Sequence, residues 1–584
     1  MASSEQFKIR FLPADTETCV DAGTTVLEAA RAAGVNIPAF CGGEGSCGKC
    51  QVVIDGKSVL ACGAVVDRDL TVEVMRASRR ENLLADGAGR SLPLRPYAAG
   101  VKVIYPKLEV GEYEDDARRI SHMVEEALCL EAPPRMSLEA LREAEMLIAQ
   151  SCREFFVVLA GAEIVHAAKD EPRVCMVAFD VGTTSLVGYL LDSADGSQLA
   201  VASRINPQGA YGADVITRAN YAVQEDPDKL TSLIREALDA MVGELCEASG
   251  VDRRDIYAIC VVGNTTMHHL FHHICPGSLL RVPYNAAITE AIELPASHVG
   301  VHAGPGARVL SLPLFTGFVG ADTCACLLAC DFAHVEKLTV MIDIGTNGEI
   351  VVGNSQGALA SSTAAGPALE GAKITFGMRG ATGAIDHVTV VGEDLVFSVI
   401  GGGRAEGICG SGLIDLVAVM AEHGMLQKTG RFVKAEKLES PLAKANAWRF
   451  GRDDDGAYFN LVDGVRLYQK DVSEVQLAKS AICVGVRMLC SKLGWQIDDV
   501  EQVLVAGAFG NYMNPDSACR IGLIPSELKG KVRGMGNAAG EGAKIALLCR
   551  SEIDEAKRLA SKIPFVELAS EPDFMNSFMK GLNL

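Results

Sequence analysis

The sequence predicts a multidomain chain of mixed α+β and α/β class: an N-terminal β-grasp domain, a small α+β middle domain and a duplicated C-terminal core. Three observations carry that expectation. The chain has 584 residues, too many for a single hydrophobic core. A glycine-rich run, CGGEGSCGKC at 41–50, lies inside a short strand–helix–strand pattern near the N-terminus. Further on, one strand–turn–strand unit occurs twice, as VAFDVGTTSLVGYLLD at 177–192 and VMIDIGTNGEIVVGN at 340–354.

Composition narrows the class. An apolar content of 49% with 59 glycines suits ordinary globular α/β material rather than disorder. Aromatic residues at 5% give little surface on which single-stranded bases could stack. A formal net charge of −20 repels phosphate backbones and anionic membranes, so neither nucleic acid nor membrane is expected as a partner. The opening MASSEQFKIR leads straight into a strand pattern without an apolar signal region. No uncharged apolar stretch reaches the roughly 18 residues of a membrane helix. Nineteen cysteines, an odd number and mostly isolated in apolar segments, suit a reducing compartment. A cytoplasmic protein is expected.

Residues 1–77 form the first domain. FKIRFLP and ETCVDAG read as strands, TTVLEAARAAG as a helix with a glycine stop, and KCQVVIDG and LTVEVM as further strands. That is a β-grasp order with the cysteine loop after the helix. Cys41, Cys47 and Cys50 are spaced C-x5-C-x2-C, and Cys62 follows after eleven intervening residues. Disulfide knot, zinc site, dinucleotide loop and iron–sulfur cluster all compete for this pattern. The knot fits a reducing compartment poorly. Zinc usually arrives as two C-x2-C-like knuckles, and only one such pair is present. The G-x-G-x-x-G of Gly43, Gly45 and Gly48 runs into a strand instead of a helix, so the dinucleotide context fails. Four thiolates on a glycine-rich loop can wrap a cluster, because glycine lets backbone N–H groups approach the sulfides. The domain resembles ferredoxins of the plant or adrenodoxin type, which implies a 2Fe–2S cluster on Cys41, Cys47, Cys50 and Cys62. Cys19, on a strand outside the motif, reads as packing.

Residues 78–100 carry charges, glycines and prolines without a sustained period and read as a linker. Residues 101–172 alternate a strand, two helices and paired strands, with no catalytic motif. Residues 173–584 hold the repeat. A carboxylate at a strand end beside a Gly-Thr turn can organise Mg²⁺ while the turn offers N–H groups and hydroxyls to phosphate. One D-x-G-T is a weak signal, since turns often use these residues; two copies on matching hairpins are far stronger. VEQVLVAGAFGNYM at 500–513 adds an apolar strand ending in small residues, and GNAAGEGAKIALL at 536–548 a helix packed through small residues.

This order resembles the sugar kinase/Hsp70/actin ATPase superfamily, which implies a two-subdomain, actin-like ATPase core. With VGNTTMHHLF, GPALEGAKITFGMRG, GICGSGLIDL and the N-terminal domain, the whole chain resembles the reductive activators of corrinoid proteins. The resemblance implies ATP-dependent, one-electron reduction of cobalt(II) to cobalt(I) in a corrinoid protein of a methyltransferase system. It also implies Mg²⁺ and a low-potential electron donor, and suggests a homodimer. Asp180, Thr183 and Thr184 would belong to the first phosphate loop. Asp343, Gly345, Thr346 and Asn347 would form the second. Gly507, Ala508, Phe509 and Gly510 would contact the adenosine, with Gly410, Ser411 and Gly412. Two other functions share these motifs: an activator of a dehydratase or aryl-CoA reductase, and a small-molecule kinase with a fused redox domain. The first would use a pair of cysteines at a bridging cluster, whereas Cys409 has no companion before Cys483. Against the second stands the missing catalytic base.

Two clusters remain. Cys324, Cys326 and Cys330 in CACLLAC read as helix packing. His268, His269, His272 and His273 in HHLFHH give two i, i+4 pairs without H-E-x-x-H, and read as a solvent- or partner-facing helix.

Overall fold

The computed structural model describes residues 6–12, 16–33, 35, 51–74, 83–84, 91–107, 115–212, 214–371, 373–507, 510 and 512–584. It divides into two compact units, Met1–Glu81 and Asn82–Leu584.

In the first unit, five strands align in the order Thr16–Asp21, Gln6–Leu12, Leu70–Val74, Gln51–Ile54 and Lys57–Leu60. Gln6–Leu12 pairs in parallel with Leu70–Val74, Ile9 opposite Leu70, and the helix Val26–Ala32 covers one face. Alternation decides that face: Ile9 and Phe11 join Val26, Ala29, Ala30, Val52 and Val72 in the core. Thr25 and Glu28 close the helix start reciprocally. The Thr25 N–H donates to Glu28 Oε2 at 2.9 Å, and the Glu28 N–H donates to Thr25 Oγ1 at 3.2 Å. The strand Lys57–Leu60 has no counterpart in the sequence reading. Cys19 is exposed on the edge strand, so it does not pack as expected; the alternating register turns it to solvent.

In the second unit, the strands Ala98–Ile104, Glu154–Ala160, Glu163–Ala168 and Arg135–Met136 form one sheet with the helices Asp116–Leu128 and Leu138–Ala149. The stretch read as linker is tied down from its second half on. Arg95 N–H donates to Leu548 O at 3.0 Å and Tyr97 N–H to Leu547 O at 2.7 Å, while Leu92 and Tyr97 are buried. Its prolines and charges hide a short segment that docks through backbone bonds, which composition cannot reveal.

The repeated sequence unit becomes a repeated sheet. Cys175–Val181 pairs antiparallel with Ser185–Asp192 and parallel with Ile256–Gly263. Thr339–Ile344 does the same with Gly348–Asn354 and Gln502–Ala506. Strand parity then places the functional groups. Val177, Phe179 and Val181 face the long helix Pro227–Ser249 in one core. Val340, Ile342 and Ile344 share another core with residues of Gln469–Lys492. The opposite parity, Met176 and Ala178 in one lobe and Met341 in the other, enters a third core built around Ala321–Ala329 and Ala538–Leu548. Those two helices touch where Gly542 meets Ala325; a Cβ on Gly542 would lie 1.9 Å from Ala325 O. Asp180 and Asp343 continue the inner parity and therefore end at the same cleft.

Candidate nucleotide and cluster sites

Both D-x-G-T turns close through their glycine N–H, the second one residue tighter than the first. Gly182 N–H donates to Ser185 O at 2.9 Å and Gly345 N–H to Asn347 O at 3.0 Å. Around the first, Asn264 Nδ2 donates to Thr183 Oγ1 at 3.0 Å, and Asn206 Nδ2 to Gly182 O at 2.9 Å. Thr184 and Thr346, one from each lobe, both donate their hydroxyls to Glu370 Oε2, at 2.7 and 3.1 Å. The two phosphate-loop candidates thus face each other across one cleft. Gly507 follows the strand Gln502–Ala506 with φ +89°, and a Cβ there would stand 3.1 Å from Asp343 Oδ1. Gly510 N–H returns to Gly507 O at 3.0 Å. Ala508 and Phe509 lie outside the described residues. Gly410, Ser411 and Gly412 form the buried first turn of the helix Gly410–Glu422. Gly412 is pressed on the neighbouring strand, where a Cβ would be 2.4 Å from Ile385 O.

The cleft gathers more carboxylates than the repeat announces. Burial, with Asp343 close by, pushes the Asp180 carboxyl up to about 7, against a weaker pull from Asn537. Burial raises Asp343 to about 6, with Cys326 opposing and Glu370 adding to it. Asp322, on the first turn of Ala321–Ala329, is lifted to about 8 by burial and then by Asp343. Glu349 is driven well above the carboxylate range by burial, then by Asp322 and Asp343. Four carboxyls gathered this closely, facing hydroxyls and turn amides, fit a magnesium-bearing polyphosphate. Among the described residues no three His, Cys, Asp or Glu side chains form a metal-ligand set. Asp322, Glu349 and Glu370 escaped the sequence reading; the first opens a helix after Val319-Gly320, and Glu349 follows the second motif by two residues.

The cysteine triplet is packed as expected in part: Cys324 and Cys326 are buried in the inner core. Cys326, however, also donates to Asp343 Oδ2 at 3.8 Å, so it touches the site. Cys409 is buried with its Sγ 3.3 Å from Ser411 Oγ. The histidine helix is a correction. Thr265–Phe271 is buried along its whole length rather than facing solvent or a partner. His269 spans Thr265 O and Ala287 N–H at 2.8 and 3.0 Å, and His272 Nε2 meets Ser311 Oγ at 2.8 Å. Apolar residues between the pairs, Leu270 and Phe271, outweighed the imidazoles of His268, His269 and His272, which burial keeps neutral, His268 falling to about 2; His273 stays half exposed beside Asp228.

In the N-terminal unit Cys41, Cys47 and Cys50 lie outside the described residues. Gln51–Ile54 pairs antiparallel with Lys57–Leu60, and Cys62, partly exposed, lies on the turn after that hairpin.

Comparisons with known proteins agree across the chain. Residues 11–79 match the 2Fe-2S iron-sulfur cluster binding domain, 175–335 the RACo middle region, and 337–584 the C-terminal domain of RACo, the ASKHA domain. The corrinoid activation enzyme RamQ of Eubacterium limosum is 34% identical over 98% of both chains. The Co(II) methylated amine-specific corrinoid protein reductase of Methanosarcina barkeri is 24% identical over 70% of this chain and 76% of its own. A solved reductive activator for a corrinoid, iron–sulfur protein superposes with a TM-score of 0.76 at 29% identity, covering 99% of this chain and 98% of that one.

Proposed function

The chain belongs to the reductive activators of corrinoid proteins, and on that premise we propose how it works. It is an ATP-dependent reductase that passes one electron to the cobalt(II) of a corrinoid protein, returning it to cobalt(I) and the methyl-accepting state. The observation that carries this reading is the joining, in one chain, of a four-cysteine ferredoxin domain to a cleft where Asp180 and Asp343 face each other from duplicated lobes.

When bound, the 2Fe–2S cluster supplies a single low-potential electron, near roughly −400 mV for the plant type. Cys41, Cys47, Cys50 and Cys62 would hold it. The cobalt couple lies lower, and each ~59 mV of deficit costs about tenfold in a one-electron equilibrium. Binding and hydrolysis of ATP at the cleft offset that deficit by holding the protein in a state with different affinity for the partner. Thr183, Thr184, Gly345, Thr346 and Asn347 orient the phosphates, Asp180 and Asp343 organise the water around Mg²⁺, and the Gly507–Gly510 turn, with Gly410, Ser411 and Gly412, lines the adenosine. Domain limits of 1–77, 78–100, 101–172 and 173–584 go with this division of labour. A cytoplasmic setting, a separate low-potential donor and a homodimer complete it. Among the described residues no helix is long and apolar enough to cross a membrane.

The test is to mix chemically reduced protein with a cobalt(II) corrinoid protein and follow the cobalt(I) spectrum. It is expected to form only with Mg-ATP. Equally fast and complete reduction without nucleotide would overturn the reading.

A further inference from the structure

Glu370 ends the turn Pro367–Glu370 in the second lobe, within the GPALEGAKITFGMRG segment that none of the chemistry above employs. One oxygen of its carboxylate takes both the Thr184 proton of the first lobe and the Thr346 proton of the second. The same segment returns to Thr184 from the other side, where Arg379 Nη2 donates to Thr184 O at 2.8 Å. Its two ends are pressed together. Gly371, at φ +84°, would with a Cβ come within 2.6 Å of Met378 O, and a Cβ on Gly377 within 2.0 Å of Gly371 O. Glu370 and Arg379 are therefore carried on one stiff hairpin that ties the lobes through a single threonine.

We propose that Glu370 is a specificity-determining residue that weighs against ATP relative to ADP and couples the terminal phosphate to the two lobes. The proposal rests on Thr184 and Thr346 belonging to the phosphate loops. A hydroxyl has one proton to donate, so a terminal phosphate oxygen and the Glu370 carboxylate cannot both be served. Two anions on the same pair of hydroxyls also repel. ATP, reaching both hydroxyls with its terminal phosphate, expels the carboxylate. ADP is one phosphate short and leaves Glu370 in place. Only ATP then loosens the hairpin, and with it the Arg379 hold on the first lobe, so the lobes sense the terminal phosphate. The displaced carboxylate subtracts from ATP affinity by the same coupling that moves the hairpin.

The test is calorimetric titration of the full-length protein with Mg-ADP and with a non-hydrolysable Mg-ATP analogue. Glu370→Gln keeps the shape but gives up the charge-assisted acceptor. It is expected to tighten the analogue about tenfold while ADP changes by less than about twofold, with an unchanged melting temperature. Glu370→Asp, whose shorter carboxylate retreats from the hydroxyls, should fall between, and stands in if the first variant folds poorly. Equal shifts for both nucleotides, or weaker analogue binding, would overturn the proposal. Thr184→Ala on the Glu370→Gln background separates the two kinds of failure. Unchanged analogue affinity there removes the phosphate-loop assignment and the proposal with it. A loss there, with an unaltered ATP-to-ADP ratio in Glu370→Gln alone, removes only the proposal.

Discussion

The electron-carrying unit and the nucleotide cleft solve opposite assembly problems. The four cysteines proposed to hold the cluster all lie between positions 41 and 62, within one short stretch of chain. The cleft joins residues far apart in sequence; the Thr184–Glu370 bond alone spans 186 positions. Even the cores differ in kind. The first unit closes a single small core around one short helix, whereas the second builds four, three of them in the two lobes with the inner one shared by both. A local site fails through its own residues. A site built across lobes fails through any change that shifts one lobe against the other, and it alone can report a ligand by lobe movement.

The sharpest break in that comparison is Cys47→Ser. Cobalt(I) formation should drop below detection with the cluster's visible spectrum abolished or severely altered, while ATP turnover stays within about twofold, because the ligand set is local. Joint loss of both activities would show that the units are not independent. Next in size, Asp180→Ala and Asp343→Ala should each lower ATP turnover by at least about 10²-fold, since each organises Mg²⁺ and phosphate. Their visible spectra should be those of the parent protein. Normal hydrolysis by Asp343→Ala would reduce the second loop to a turn.

A third prediction uses pH. Asp343, Asp180 and Asp322 are raised in the folded protein to about 6, 7 and 8, above the roughly 4 of an unfolded aspartate. The folded state thus holds more protons between about pH 4 and 8, and the stability these groups contribute is full below about pH 4 and lost as pH rises through that window. The melting temperature of the second unit, measured without nucleotide, should fall from pH 6 to pH 8, and Asp322→Asn should flatten the slope. An identical slope in that variant would separate Asp322 from the cluster. Because the carboxylates interact, the pH midpoint belongs to the group and not to one residue.

Smaller still is Gly542→Ala. Its Cβ has no room against Ala325 O, so the two inner helices must part, at a cost of about 1–3 kcal/mol. A lowered melting transition with an unchanged cluster spectrum is expected, and an unchanged transition would mean the helices yield freely. The smallest effect belongs to Cys409→Ser: a buried thiol 3.3 Å from the Ser411 hydroxyl should leave iron at two per chain. Loss of iron would reopen the bridging-cluster function.

By itself the sequence determined the cluster motif, the helix and four strands of the first unit, and the duplicated D-x-G-T hairpins. Each is a pattern over a few neighbouring residues, where period and turn chemistry act directly. The carboxyl pair was legible for the same reason, as Asp180 and Asp343 repeat in matching contexts. Asp322, Glu349 and Glu370 were not, because nothing adjacent to a buried carboxylate in the chain says what it will face. The histidine helix shows the same limit: the HHLFHH spacing describes a face, and only packing against Ser311 and Ala287 decided that the face is interior. The tertiary structure likewise decided that residues 91–97 are docked instead of free, through backbone bonds to Leu547 and Leu548 that carry no signature in side-chain composition. Local patterns write strands and turns. Which of them share a cleft is settled by the burial of apolar faces at long range, and the chemistry of the cleft follows from that burial.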